Sequence, residues 1–88
     1  MELRHLRYFL ALADELHFGR AAQRLAISQP PLSVAIRQLE DRVGTRLLER
    51  SSKAVRLTPA GAAFREAARR LVAQAEEAAS EARAVAAG

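Results

Sequence analysis

The C-terminal third of the chain repeats apolar and small side chains in alternating steps of four and three residues. An average spacing of about 3.5 residues, kept for about three heptads, is the pattern of a coiled-coil seam. Alanine at most seam positions lets two helices approach closely but buries little apolar area. The repeat therefore predicts a long helix that pairs weakly with a second copy. Its positions, the predicted dimer interface, are Phe64, Ala68, Leu71, Ala75, Ala78, Ala82 and Val85.

The rest of the chain offers few other sources of stability. A chain of 88 residues buries only about 60% of the surface that its unfolded form exposes. It contains no cysteine, so neither a disulfide nor a thiolate metal site is expected. A helix of about thirty residues is about 45 Å long, which is more than the small remainder can cover. Self-association accounts for this helix, and the alternative is a lone helix favoured by its alanines.

Charge divides the chain into two parts. There are 14 basic and 10 acidic side chains, which gives a net charge of +4. Residues 1–57 hold ten of the basic and six of the acidic ones, whereas residues 58–88 hold four of each. This distribution predicts a polyanion-binding head, residues 1–57, and a linker and dimerisation helix, residues 58–88. The alternative for the charge is an ordinary solvated surface.

Three helices are predicted in the head. A stripe of apolar residues with helical spacing predicts the first over about 2–16. A short second helix follows the break at residues 17–19 and ends near Ala26, and Gly19 is a candidate for its cap. The third begins at Ser28 and ends at Gly44, because the following prolines fit a first helical turn and glycine commonly follows a helix C-terminus.

A hairpin is predicted between the third and the last helix. Two short strands, residues 47–50 and 55–57, are joined by a polar and basic loop. Arg50, Lys53 and Arg56 place three cations within seven residues of this hairpin, where a wing would contact phosphates. A charged hairpin that simply faces water is the alternative. Thr58 and Pro59 then supply the N-cap and first position of the last helix.

Two short helices joined by a tight turn match the helix-turn-helix plan, in which the second helix lies in the DNA major groove. On a helical wheel, the third helix, about 28–43, turns Leu32, Leu39 and Val43 to one side. The opposite side offers hydroxyl, guanidinium and small apolar groups, with the amide of Gln29 at its leading edge, and these groups can contact base edges. The alternative is an ordinary solvated helix face. The residues expected to contact bases are Gln29, Pro30, Ser33, Val34 and Arg37.

No pattern in the sequence supports catalysis. His5 and His17 have no metal-ligand spacing, no serine lies in a nucleophile-elbow setting, and no glycine cluster could cradle a phosphate. We therefore expect no metal, no cofactor and no enzymatic activity, and we expect His5 to face solvent. The opening residues carry arginines among the apolar positions, unlike a signal peptide or a membrane span. The expected location is the cytoplasm.

Taken together, these segments resemble the N-terminal domain of LysR-type transcriptional regulators over nearly the whole chain. The resemblance rests on MELRHLRYF at the start, FGRAAQRLAISQPPLSVAIRQLEDRVGTRLLER in the middle and VRLTPAG before the last helix. It implies a mainly α fold, a winged helix-turn-helix of three helices and a two-stranded wing, followed by a long helix that pairs antiparallel in a homodimer. It also implies an effector-binding domain, absent from this chain, through which a small-molecule inducer would act. The opening residues resemble the subgroup that regulates degradation of aromatic compounds.

The resemblance also implies a set of DNA contacts. The groove contacts of the family fall on Gln29, Pro30, Ser33 and position 34. Its wing contacts fall on Arg50 and Lys53. The family often has arginine in place of Val34, and a hydroxyl residue in place of Gly19, whose absence removes a phosphate hydrogen bond. The residues expected at the DNA backbone are Pro31, Arg20, Arg50, Ser51, Lys53 and Arg56.

The sequence thus predicts that a homodimer binds an interrupted palindrome in double-stranded DNA. The helix at about 28–43 would enter the major groove, and the wing at 47–57 would contact the flanking backbone or minor groove. Half-sites should lie one helical turn, about 34 Å, or a multiple of it apart. Two alternatives remain: a helical protein-interaction module whose charge is incidental, and an architectural protein that binds DNA without sequence preference.

Overall fold

The computed structural model describes every residue from Met1 to Gly88. It contains four helices and a two-stranded antiparallel sheet, so the predicted winged helix-turn-helix with a long C-terminal helix is confirmed. The molecule is elongated, with extents of 54 × 25 × 19 Å. The elements are α1 (Leu3–Glu15), α2 (Phe18–Leu25), α3 (Gln29–Val43), β1 (Leu48–Arg50), β2 (Val55–Leu57) and α4 (Pro59–Ala87).

Helix α1 runs through the middle of the head and packs against α2, α3 and α4. Its apolar stripe and that of α3 face each other, because residues spaced by three or four positions share one side of a helix. Each large apolar side chain removed from water in this way contributes about 1.5–3 kcal/mol. The large side chains that are completely buried are Phe9, Leu12, Leu32, Ile36, Leu39, Leu47 and Leu48.

His5 does not face solvent as expected. Only 9% of the residue is exposed, and it lies between α1 and α3, beside Gln38 and Leu39. Its Nε2 is 3.5 Å from the Glu2 carboxylate. The expectation was wrong because α3 crosses next to the edge of the α1 stripe and covers this position. Packing between helices decides this burial.

The turn between α2 and α3 is short and closed by backbone hydrogen bonds. Ala26 adopts a left-handed conformation with φ of 57°, and its N–H donates to the carbonyl of Gln23 at 3.0 Å. The N–H of Ile27 donates to the carbonyl of Ala22 at 3.0 Å. Ser28 is extended, and the prolines occupy the first turn of α3 as predicted. The short turn fixes α3 at a constant angle to α2, as a helix-turn-helix requires.

Helix α2 is capped by His17 and not by Gly19. The imidazole Nδ1 of His17 accepts a hydrogen bond from the backbone N–H of Arg20 at 3.0 Å, while Gly19 lies inside the helix. The predicted cap was wrong because imidazole nitrogen serves here as the acceptor that serine or aspartate more often provides. Gly19 instead leaves room for the ring, as described below.

The wing is fastened to α3 by a buried carboxylate. Strands β1 and β2 pair antiparallel, with Leu48 opposite Leu57 and Arg50 opposite Val55. Glu40 of α3, only 8% exposed, accepts the backbone N–H groups of Leu47 at 2.8 Å and Leu48 at 3.3 Å. Bonds from buried N–H groups to a charged acceptor are among the stronger ones in proteins. Glu40 therefore sets where the wing leaves the end of α3.

The start of α4 fits closely against the base of the wing. Thr58 Oγ1 accepts the N–H of Gly61 at 2.9 Å and donates to the carbonyl of Arg46 at 2.8 Å. A β-carbon on Gly61 would lie 2.0 Å from the carbonyl oxygen of Leu47. Only glycine permits this approach. Thr58 thus caps α4 as predicted and also connects the helix to the wing.

The first half of the predicted seam packs inside the same chain. Ala68 is completely buried, and the ring of Phe64 meets Phe9 of α1 edge-to-face, with centroids 5.4 Å apart. Ala68 therefore has no surface left for a second copy, which corrects its assignment to the dimer interface. The cause is the head itself, since α1 covers the first three turns of α4. Leu71 is the first seam position that is substantially exposed.

Ion pairs hold α4 against α1 and α2. Asp14 pairs with Arg65 of α4 and with Arg24 of α2, the latter at 3.1 Å. Partial burial raises the pKa of Asp14, but hydrogen bonds and positive charge from Arg65 and Arg24 outweigh it and leave the pKa below its ordinary value of 3.8. Further along, Arg7 pairs with Glu76 at 2.8 Å.

No helix is both long and apolar enough to cross a membrane.

Candidate nucleic-acid interface

The predicted base-contacting face of α3 is open to solvent. Gln29, Pro30, Val34 and Arg37 are exposed and Ser33 is half-buried, whereas the opposite side of the helix fills the core. Val34 in particular is 46% exposed. The structure therefore places all five base-contacting candidates together on one accessible face.

Unpaired cations concentrate on the second half of α3 and on the wing. No carboxylate lies within ion-pair distance of six of them, whereas most cations of α1, α2 and α4 are paired with acidic groups. Only two other Lys or Arg side chains are unpaired, Arg70 and Arg83 on α4. The free positive charge of the molecule is thus gathered on the second half of α3 and the wing, next to the exposed face of α3, except for Arg42, which lies beside Met1 and His5. The six, which we call the cationic band, are Arg37, Arg42, Arg46, Arg50, Lys53 and Arg56.

Part of the cationic band borders an open depression between the C-terminal end of α3 and the wing. Arg37 reaches it from α3, Arg46 from the connection, and Arg50 from β1. None of the seven residues that line it is hydrophobic. Glu40 and Asp41 line it as well, but the Glu40 carboxylate accepts backbone N–H groups of the wing and neither acid is within ion-pair distance of a guanidinium. The three guanidinium groups can therefore still donate hydrogen bonds to a phosphate at this edge.

The wing is anchored at both ends of its loop. The guanidinium of Arg50 lies over the ring of Phe18, 4.6 Å from its centroid, which holds β1 against the start of α2. Ser51 Oγ accepts the N–H groups of Lys53 at 3.2 Å and Ala54 at 3.1 Å. The hydroxyl of Ser51 therefore shapes the turn, a role that the sequence did not suggest. Lys53 is exposed at the tip.

The remaining candidates for contacts with the DNA backbone, Pro31 and Arg20, differ in whether they bind other groups of the protein. Pro31 is exposed in the first turn of α3. Arg20 is exposed but bends back to α1, where it donates to the carbonyl oxygen of Glu15 at 3.1 Å and lies 3.5 Å from its carboxylate. Its charge is partly neutralised, so Arg20 contributes less positive potential than any member of the cationic band.

A match to a family profile identifies the chain. The profile described as "Bacterial regulatory helix-turn-helix protein, lysR family" matches residues 3–62, which is well over half of the chain and includes α1–α3, the wing and the start of α4. The chain belongs to the LysR family. This agrees with the resemblance seen in the sequence, and with the expectation of a regulator instead of an enzyme.

Curated relatives of this LysR-family chain are transcriptional regulators. AlsR of Bacillus subtilis is 61% identical over 64 residues, covering 73% of the chain and 21% of AlsR. BudR of Klebsiella aerogenes is 53% identical over 88 residues, covering all of the chain and 62% of BudR. The chain thus spans about a fifth of the length of AlsR and less than two thirds of BudR.

Solved structures match the whole fold. The chain is similar to the CbnR DNA-binding domain solved in complex with DNA, with a TM-score of 0.94 and 44% identity over 98% of this chain and 99% of that one. It is equally similar to the BenM DNA-binding domain with catB site 1 DNA, with a TM-score of 0.94 and 45% identity over 100% and 99%. Full-length CbnR gives a TM-score of 0.91, with 96% of this chain matching 29% of CbnR.

Sequence reasoning missed four residues that shape the interface of this LysR-family chain. His17 caps α2, Phe18 supports Arg50, Glu40 holds the wing and Asp14 joins three helices. Only Glu40 leaves a signal, because it lies at the edge of the apolar side of α3, four residues after Ile36. The others are exposed or half-buried side chains whose partners are distant in sequence or unusual in type.

Proposed function

We propose that this chain binds double-stranded DNA sequence-specifically, as the DNA-binding part of a transcription regulator. The observation that carries the proposal is the cationic band beside the exposed face of α3. Cations that have no internal partner are available for phosphates, which supply most of the affinity for DNA. The match to two DNA-binding domains solved in complex with DNA supports the same assignment.

The two surfaces would divide the work of recognition. In α3, the amide of Gln29 can bond adenine, the guanidinium of Arg37 can bond guanine or phosphate, and Val34 can contact a thymine methyl group. Pro30 and Ser33 complete this face. The backbone contacts, which carry no sequence information themselves, are assigned to Pro31, Arg20, Arg50, Ser51, Lys53 and Arg56.

We further propose that two copies pair along the exposed half of α4. Beyond the turns that α1 covers, Leu71 is 45% exposed and Val85 is 82% exposed. Alanines between them leave a narrow strip on which a second helix can approach closely. A symmetric pair would hold two α3 helices at a constant separation and match a palindromic site, whose half-sites lie about 34 Å or a multiple apart. The exposed positions are Leu71, Ala78, Ala82 and Val85, with Ala75 half-buried.

The rest of the regulator is proposed from the family. An effector-binding domain C-terminal to α4 would bind a small-molecule inducer, and the protein would act in the cytoplasm, where DNA is accessible. This chain itself is proposed to need no cofactor for DNA binding.

A fluorescence anisotropy titration tests the central proposal. The chain is titrated onto labelled DNA from upstream of its own gene and onto a scrambled duplex of the same composition, at several salt concentrations. We expect a preference of about a hundredfold or more for the natural sequence, and a footprint with two protected half-sites. Equal affinity for both duplexes would favour an architectural DNA-binding protein. Absent or salt-insensitive binding would favour a protein-interaction module.

The wing assignment has its own test. Lys53→Ala should weaken binding to all duplexes alike and lower the slope of log affinity against log salt by about one unit. Arg83→Ala is the matched control, because Arg83 is also unpaired and exposed but lies at the far end of α4. A loss confined to one DNA sequence would contradict a backbone contact for Lys53.

A further inference from the structure

Two side chains meet above Gly19, at the point where α2 faces the start of α3. A β-carbon placed on Gly19 would lie 2.9 Å from Cε1 and 3.3 Å from Nδ1 of the His17 ring. The same β-carbon would lie 3.5 Å from the side-chain amide nitrogen of Gln29. The space left free by the missing side chain is therefore bordered by both the imidazole and the carboxamide.

The imidazole has little freedom to leave this space. Its Nδ1 accepts the N–H of Arg20 at 3.0 Å and caps α2. Swinging the ring away would leave that N–H without an acceptor in the protein and would remove the cap, which stabilises a helix substantially. A contact of 2.9 Å between a β-carbon and a ring carbon is too short for real structures, so any larger residue at position 19 must displace the ring.

The carboxamide is the group proposed to contact adenine. Reading adenine requires that the amide oxygen and nitrogen of Gln29 point together at the base edge. The amide nitrogen of Gln29 lies within van der Waals distance of the Gly19 position. A β-carbon there would be in ordinary contact with this amide, and the ring that it pushes out of place would change the surface against which the amide rests.

We propose that Gly19 is a specificity-determining position of the DNA interface. It acts without contacting DNA, because its small size lets the His17 ring cap α2 while the Gln29 amide lies beside the same point. A larger residue changes which base pair is preferred at the position contacted by Gln29, and leaves the preference at other positions unchanged. This inference rests on the proposed sequence-specific DNA binding.

A panel of operators tests it. Every single base-pair change is made in one half-site, and affinities are measured for the natural chain, Gly19→Ala, Gln29→Ala, and Gly19→Ala with Gln29→Ala. Gln29→Ala identifies the base pair that this residue contacts. At that base pair we expect Gly19→Ala to change the preference by about fivefold or more, within the range of one base contact. In the Gln29→Ala background, Gly19→Ala should have no effect on preference.

The outcomes separate this inference from the function on which it rests. If the natural chain itself shows no preference among operators, the proposed function fails. If the natural chain is selective and Gly19→Ala keeps the same preferences, or weakens all operators equally, the inference about Gly19 is overturned. A preference change that persists with Gln29→Ala also overturns it, because the effect then bypasses the Gln29 amide.

Melting temperatures accompany the panel, since displacing the cap could unfold the chain. Should Gly19→Ala fail to fold, the natural chain is compared with His17→Ser. Serine keeps an N-cap oxygen and removes the ring that lies with the Gln29 amide at Gly19. A preference at the Gln29 base pair equal to that of the natural chain overturns the inference, because the ring then has no influence on the amide.

Discussion

Glu40→Ala would remove the one acceptor that two backbone N–H groups share at the junction of α3 and the wing. Leu47 donates at 2.8 Å and Leu48 at 3.3 Å to the same carboxylate oxygen. Both leucines are completely buried, so water cannot readily replace the lost acceptor. The wing should loosen from α3 as a result.

The expected loss follows from these two bonds. Leaving a buried donor unsatisfied costs about 1–3 kcal/mol. The cost for Leu48 should lie at the low end of this range, because its bond is the longer of the two. The free energy of unfolding should therefore fall by about 2–4 kcal/mol. In a domain of this size, each 1 kcal/mol lowers the melting temperature by about 4–8 °C, so a drop of about 8–32 °C is expected.

Thermal denaturation followed by circular dichroism measures this drop, at one chain concentration because the proposed dimerisation would also stabilise the fold. Asp41→Ala is the matched control: it removes the same charge from the next residue, which is exposed, and should change stability by less than about 0.5 kcal/mol. Glu40→Gln keeps an acceptor oxygen and should lie between the two. Equal melting temperatures for Glu40→Ala and Asp41→Ala would refute the reasoning.

Three further variants probe other contacts. Gly61→Ala forces α4 away from the Leu47 carbonyl, which a β-carbon would approach to 2.0 Å, and should destabilise the chain by about 3 kcal/mol in urea denaturation; a neutral result would contradict the close approach. Asp14→Asn should lower the melting temperature at pH 7. Because the folded pKa of Asp14 lies below 3.8, its contribution is present above pH 3.8 and is lost as the pH falls through the folded value. The difference from the natural chain should thus shrink as the pH falls below 3.8, and a difference that stays constant there would count against the ion pairs. Ala78→Glu places like charges in the exposed seam and should shift the dimer to monomer in light scattering, whereas Ser80→Glu, away from the seam, should not; two identical profiles would argue against pairing through this strip.

Local pattern was enough for the course of the chain and for the choice of residues on the exposed face of α3. One proline pair and a glycine marked the two ends of α3, and helical spacing showed which of its sides is apolar. The same spacing placed Gln29, Val34 and Arg37 outside. The charge count located the basic side chains, but it could not show which of them pair with a carboxylate and which remain unpaired. Arg7, for example, finds its carboxylate 69 positions away.

Which surface covers each apolar or polar group was decided only by the tertiary structure. The repeat in α4 is continuous in sequence, yet α1 covers Phe64 and Ala68 while Leu71 stays open. His5 is buried for the same reason, because α3 crosses next to it. Periodicity depends on neighbours three or four residues apart, whereas burial depends on contacts between segments distant in the chain. The spacing of apolar residues therefore shows which face of a helix is apolar. Only the packed molecule shows whether α1 of the same chain buries that face or leaves it exposed to a second copy.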